Sequence, residues 1–181
     1  MRSMVALLIM FCSVYPLDAG RTIRISSPQF SFLIDEPDGW MIDVQSAVQI
    51  ANFVVHRQGT TWRNADVAVF GRFLPREGEE TLEDFVKDDE LRFQQNCPIS
   101  AIKHLDLEIS EDRFHEFLVK TYDCPAAQSE VVAIAQVPNF FVILSLSSQS
   151  GPEALERGMD AFRELVGSFR YLPRQVRRPR P

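Results

Sequence analysis

The chain has 181 residues, 45% of them hydrophobic and 24% charged, with a formal charge of −6. That length suits one ordinary domain with a buried core. The acidic balance argues against a nucleic-acid binder, because affinity for phosphate comes from Lys and Arg. Beyond the first residues no apolar run approaches the roughly 20 positions needed to span a bilayer.

The N-terminus reads as a leader. Arg2 is a basic n-region and Val5 to Val14 an apolar core of signal-peptide length. The other reading is a buried N-terminal strand or helix. Cleavage after Ala19 puts Leu17 at the minus-three position, and cleavage after Gly20 puts Asp18 there, so the cut is a poor match either way. Phe11 before Cys12 argues against a lipoprotein. The expected organisation is a signal peptide over 1–20, one domain over 21–172, and a disordered, Pro-rich basic tail over 173–181. Arg2 and Asp18 cancel, and taking the tail's four arginines from −6 leaves −10 on the folded part. The tail reads as a solvated end that could touch an anionic surface.

In chain order, Arg21 to Ile25 is a short lead-in strand and Phe30 to Ile34 a second. Asp35-Glu36-Pro37-Asp38-Gly39 is expected to turn the chain into a first hairpin, with Trp40, Ile42 and Val44 on one face of the next strand. Ala47 to Arg57 follows, with Val48, Ile50, Asn52, Val54 and His56 on one face and Ala51, Phe53 and Val55 on the other. Gln58-Gly59-Thr60 turns it. Ala65 to Leu74 is the fifth strand, ended by Pro75.

Glu77 to Glu90 carries eight acids. Thr81-Leu82-Glu83-Asp84 resembles a capping box, with Asp in place of the usual Glu or Gln. The acids of the first turn suit the positive end of a helix dipole. Leu82, Phe85, Val86 and Phe93 form an apolar stripe. Calcium binding is one reading of the acid run, but its spacing does not match an EF-hand loop, and a solvated helix face accounts for it. The helix stops near Cys97-Pro98. Ala101 to Ile109 reads as a strand with Ala101, Leu105, Leu107 and Ile109 inward and His104, Asp106 and Glu108 outward. Ser110-Glu111-Asp112 is a turn, and Phe114 to Tyr122 the next strand, delivering Cys124.

Val131 to Val137 and Phe140 to Leu146 are apolar on both faces, joined by Pro138-Asn139. Such strands must be covered on both sides and belong at the centre of a sheet. The last helix is capped by Ser150 with Glu153, or by Gly151 with Pro152 at its first position, and its apolar positions are Leu155, Met159, Phe162, Val166 and Phe169. After Leu172 no structure is expected. Five strands, a helix, four strands and a helix joined by short turns give an α+β fold, a mainly antiparallel sheet flanked by two helices.

With Cys12 removed in the leader, two cysteines remain, and an even number in an exported chain reads as one disulfide, Cys97 to Cys124. The other possibility is a reduced, reactive pair. A bridge across that loop stabilises by about 3–4 kcal/mol in the chain-entropy treatment.

No reactive signature stands out. His56, His104 and His115 are not spaced as a ligand pair on one helix, and no His-Glu-x-x-His or Cys-x-x-Cys is present. His104 and His115 could neighbour one another across a hairpin and bind a metal with Asp106 or Glu116, or simply form an exposed pair. A Cys–His nucleophile using Cys97 or Cys124 with His115 requires a free thiol. No nucleophile elbow or phosphate loop exists. Trp40 and Trp62 read as core or rim residues.

Several short motifs occur in an order that resembles the PsbP/Mog-type fold, that of the extrinsic photosystem subunit PsbP, a nuclear Ran-binding factor and many small exported bacterial proteins. They are Phe32-Leu33-Ile34 leading into Pro37-Asp38-Gly39-Trp40, the helix opened by Thr81-Leu82-Glu83-Asp84-Phe85, the Phe141-Val142-Ile143-Leu144-Ser145-Leu146 strand, and a last helix from Pro152-Glu153 to Val166-Gly167-Ser168-Phe169-Arg170. The resemblance implies a PsbP-like α/β/α sandwich and a binding or accessory role without catalysis. It transfers no metal-binding or Ran-binding residue, and the cysteine pair would mark a subgroup. The expectation is a periplasmic or secreted non-catalytic protein, without cofactor, nucleic acid or membrane insertion, that docks on an unknown protein through its sheet face or edges. An immunity protein or effector chaperone, a thiol- or His-dependent enzyme, and a small-molecule carrier with its ligand between sheet and helix are the alternatives.

Overall fold

In a computed structural model, residues 21–27, 29–46, 50–107, 115–125, 129–148 and 150–173 are described. The proposed leader, the turn at 110–112 and the tail from 174 lie outside them. Ten strands and two helices follow one another as β1 (Thr22–Ser26), β2 (Ser31–Asp35), β3 (Trp40–Asp43), β4 (Phe53–Arg57), β5 (Val67–Pro75), α1 (Leu82–Asn96), β6 (Ala101–His104), β7 (Leu118–Asp123), β8 (Glu130–Val137), β9 (Phe140–Ser148), α2 (Pro152–Ser168) and β10 (Arg170–Tyr171).

Seven strands make one antiparallel sheet in the order β3-β4-β5-β9-β8-β7-β6. The two apolar runs stand at its middle, as a strand buried on both faces must. Asn139 takes the left-handed turn position at φ 68 and brings Val137 opposite Phe140. Because side chains alternate, each strand serves both faces. On one face Val131, Ala133, Val142, Leu144 and Leu146 meet α2 and the largest core. On the other, Val132, Ile134 and Ile143 meet α1. At the β4–β5 end of that second face, Ala51, Val54 and Ala68 are packed by Trp62 and Phe70.

Helix α2 opens at Gly151, φ 88, with Pro152 in its first turn and no side-chain cap. This is the second of the two caps read from the sequence. Its buried stripe includes Leu155, Met159, Phe162 and Val166 as expected, and adds Leu165. Gly158 lets it approach the sheet closely: a Cβ there would come within 2.8 Å of Leu146 and 3.0 Å of Val67.

Several expectations are corrected. The turn at 35–39 does not make a hairpin. Gly39 turns the chain, at φ 73, but β2 pairs with β1 and β10 in a separate three-stranded sheet while β3 pairs with β4. Phe30 and Phe32 decide this by stacking on Phe73 at 4.4 and 4.6 Å, which places β2 across the large sheet instead of beside β3. Arg170, expected to end the last helix, instead pairs in a short strand with Tyr171 against β2, and Leu172 N–H donates to Ser31 O at 2.8 Å. Among the described residues the fourth strand covers Phe53–Arg57 and the sixth Ala101–His104, while positions 47–49 and 108–109 of the expected strands lie outside those residues. Ala101, expected inward, is exposed at the sheet edge, whereas Leu105 and Leu107 do pack on the core.

Candidate functional site

Helix α1 is positioned at both ends by features readable in the sequence. At its start, Thr81 Oγ1 accepts from Asp84 N–H at 3.2 Å while the Asp84 carboxylate accepts from Thr81 N–H at 3.3 Å and from its hydroxyl at 2.7 Å. These bonds to the charged form, the Thr81 hydroxyl first, hold the Asp84 carboxyl below its ordinary range. At its end, Cys97 is the cap, and its sulfur is bonded to that of Cys124 just beyond β7. Both cysteines are buried. Between these points Phe85 stacks on Phe141 at 4.4 Å, Phe93 meets Tyr122 edge-on at 5.0 Å, and Lys120 pairs with Glu90.

The helix leaves part of the sheet uncovered, and a cleft of about 790 Å³ lies between them. Its floor is built by register. Tyr122 of β7 stands opposite Glu130 of β8, which stands opposite Ser147 of β9. Val132, Ile143 and Ser145 continue the floor, Arg72 comes from β5, and Asp88, Asp89 and Arg92 overhang it from α1. Part of the acid run therefore faces the sheet, and the rest of it is the solvated face expected.

Two groups in the cleft are shifted from their solution behaviour. Burial pushes the Glu130 carboxyl upward, Arg72 opposes this, Asp89 adds to it, and Ser147 donates to the carboxylate. Burial also drives the Tyr122 phenol strongly upward, with Asp89, Glu90 and Glu130 adding repulsion against its ionised form. The side chain of Tyr122 is 98% shielded, since its relative exposure is 2%. The Asp89 carboxylate both repels the ionised phenolate and accepts from the neutral hydroxyl, which favours the protonated form.

The residues singled out from sequence do not assemble. His104 lies opposite Lys120 in the β6–β7 register and contacts Asp106 at 3.0 Å in the open. His115 instead lies beside β10, its Nε2 accepting from Tyr171 N–H at 3.0 Å and its ring against Phe169. The two histidines are thus not a cross-strand pair, because β7 begins only at Leu118 and the chain before it turns toward β10. His56 is buried, with Nδ1 3.1 Å from Arg57 O and 3.3 Å from Thr60 Oγ1. Among the described residues no three His, Cys, Asp or Glu side chains converge closely enough to hold a metal ion. Neither Cys97 nor Cys124 has a thiol to offer, since the two are joined. Trp40 is core, with Arg57 over its ring at 5.2 Å, and Trp62 is a rim residue under Arg63.

Sequence reasoning passed over Glu130 and Tyr122. The available signal was a lone carboxylate opening an otherwise apolar central strand.

With this architecture in place, comparison with solved structures is informative. The cyanobacterial PsbP protein, CyanoP, of Synechocystis sp. PCC 6803 superposes with a TM-score of 0.50 over 88% of this chain and 98% of its own, at 15% identity. The fold is of the PsbP type. A Pseudomonas aeruginosa protein of unknown function, PA94, matches with a TM-score of 0.44 at 13% identity, covering 87% of this chain and all of its own. LpqN of Mycobacterium tuberculosis, involved in cell envelope biogenesis, matches with a TM-score of 0.46 at 13% identity, covering 87% of this chain and 88% of its own. The sequence matches no known protein-family profile and no curated protein. Within the PsbP-type sandwich the α1 cleft is thus assigned from this chain's own residues. No helix among the described residues is long and apolar enough to cross a membrane.

Proposed function

We propose that this chain is an exported, non-catalytic accessory protein that acts by binding another protein. The observation that carries the reading is the joined and buried pair Cys97 and Cys124. Disulfides form and persist in oxidising compartments, and this one occupies both cysteines outside the proposed leader. The thiol-dependent alternative loses its nucleophile with it.

Of the expected contact surfaces, the sheet edges are the ones this reading retains. Both faces of the seven-stranded sheet are in use: α2 and the small sheet cover one, and α1 with the Trp62 segment covers much of the other. Among the described residues, the β3 and β6 edges, the α1 cleft and a second cleft of about 610 Å³ between β6, β7 and α2 are open to a partner. An exposed edge strand can accept another chain's backbone.

The test is direct. The chain recovered from a periplasmic or secreted fraction is expected to have lost residues 1–20 and to show no free thiol by mass spectrometry. Chemical cross-linking in that fraction should then yield a partner that re-forms the complex from purified components. A retained leader with both thiols free would remove the export reading. Substrate turnover by the purified chain, with no reconstitutable complex, would replace the accessory role with an enzymatic one.

A further inference from the structure

We propose that the free edge of β6 is a strand-addition site for an extended segment of another protein, one that carries apolar side chains at alternate positions with an Asp or Glu between them. The inference deepens the binding-protein reading and rests on it for the existence of that partner.

A partner can reach the end of a sheet without finding its backbone free to pair, and the ends of the two sheets differ in this. In β3 the ladder to β4 turns the backbone groups of Trp40 and Ile42 outward, because Gln58 N–H donates to Gly39 O and hydrogen-bonded pairs alternate. Most of those groups are engaged. Trp40 N–H donates to Pro37 O at 3.0 Å, Gln58 Nε2 donates to Trp40 O at 3.2 Å, and Ile42 N–H donates to Glu36 Oε2 at 2.9 Å. In β10 the outward N–H is that of Tyr171, and His115 takes it. β1 turns Thr22, Arg24 and Ser26 outward, but their side chains are exposed and polar, and Arg24 puts a charge on the edge. In β6, Leu105 N–H donates to Val119 O, so the alternation points the N–H and C=O of Ile102 and His104 away from β7. Among the described residues those outward groups have no hydrogen-bond partner.

The surface flanking this edge suits an apolar strand. Ile99, at the approach to β6, is 68% exposed. Ala101, Lys103 and Leu105 line the cleft of about 610 Å³ beside α2, together with Val131, Leu155 and Met159. A strand added to β6 sets every second side chain over that cleft. Opposite Ala101 and Leu105 such a side chain meets apolar surface. Opposite Lys103 it meets an ammonium group with no ion-pair partner among the described residues. On its outer side Lys103 is at a non-hydrogen-bonded position, where facing side chains come closest, so a carboxylate is favoured there and a Lys or Arg repelled. The same charge disfavours a second copy of this chain. The self-pairing register that uses the outward groups of Ile102 and His104 on both strands sets Lys103 directly against its own counterpart.

The experiment uses the mature, disulfide-bonded chain, isotope-labelled for NMR, and the end-blocked peptide Thr-Val-Thr-Glu-Thr-Val-Thr, with a version carrying Lys for Glu. The Glu peptide is expected to bind saturably and to slow hydrogen exchange at the amides of Ile102 and His104. The Lys peptide should bind about fivefold more weakly. His104→Pro removes an outward donor without touching the ladder to β7, and should weaken the Glu peptide about tenfold. Lys103→Glu should reverse the preference, so that the Lys peptide binds the better of the two, which a merely loosened fold would not produce.

Absence of saturable binding by either peptide at millimolar concentration overturns the inference, as does protection that falls on β1 or β3 instead of Ile102 and His104. A dimer of the peptide-free chain that His104→Pro dissolves would make a second copy the occupant and overturn the assignment to another protein. If a partner protein binds wild type, His104→Pro and Lys103→Glu alike, the accessory reading stands and the β6 site falls. If the Glu peptide binds at β6 and no partner protein re-forms a complex, the β6 site stands and the accessory reading falls.

Discussion

The ring of Phe53 occupies the space that a side chain at position 71 would need. A Cβ built on Gly71 would lie 2.0 Å from Phe53 Cε1 and 2.1 Å from Cζ, with the two residues directly paired between β4 and β5. Phe53 is fully buried and touches Phe32 at 5.6 Å, so its ring has no room to yield. Gly71→Ala is therefore expected to destabilise the fold by at least the roughly 1–3 kcal/mol typical of overpacking. Urea unfolding checks this, and the loss should shrink in a Phe53→Leu background, where the two sites are coupled.

The bridge between Cys97 and Cys124 closes a segment of 27 positions. Replacing both by alanine should cost about 3–4 kcal/mol through the added freedom of the unfolded chain. The unfolding midpoint of the wild type should fall to that of the double variant when reductant is added. An unreduced wild type that already matches the double variant would contradict the bridge.

His115 provides a pH dependence whose sign is set by geometry. Its Nε2 accepts from the Tyr171 amide, so the proton of the neutral ring is on Nδ1, and protonation removes the acceptor. Burial lowers its folded-state pKa below 6.5. The neutral form is therefore favoured in the fold. Stability from this site is complete above pH 6.5 and declines as pH falls through the folded pKa. Denaturant midpoints between pH 8 and 5 should drop on the acid side, and His115→Gln should remove this part of the slope.

Glu130 behaves in the opposite sense. Its raised folded pKa, caused chiefly by burial, means that ionisation costs the folded state more than the unfolded one. Glu130→Gln should leave the chain as stable as wild type or more stable at pH 7. The advantage should vanish below about pH 4.5, where the carboxyl is protonated in both states. A neutral-pH midpoint well below wild type would show that the Arg72 attraction outweighs burial.

What could be read beforehand was what depends on near neighbours. The Thr81–Asp84 cap, the Pro138-Asn139 turn, the central position of β8 and β9, and the pairing of Cys97 with Cys124 follow from spacing, turn chemistry or cysteine count. What could not be read depends on distant residues meeting. Asp35 to Gly39 has the composition of a hairpin turn, and only the stacking of Phe30 and Phe32 on Phe73 sends β2 to another sheet. Arg170 and Tyr171 carry no strand pattern of their own and become one by lying against Leu33 and Phe32. The α1 cleft escaped for the same reason: Tyr122 and Glu130 are eight positions apart, and their adjacency is a matter of register.

The three-stranded sheet has a consequence for the order in which the molecule can be made. Its middle strand, β2, is flanked by β1 on one side and by β10 on the other, so a segment synthesised early waits for one that follows α2. Contacts spanning that much of the chain form slowly. A nascent polypeptide emerging N-terminus first lacks β10 until α2 has been made, and its Phe32 and Phe169 cannot meet before then. Until that moment β2 keeps one edge open, and the small sheet closes only when β10 arrives.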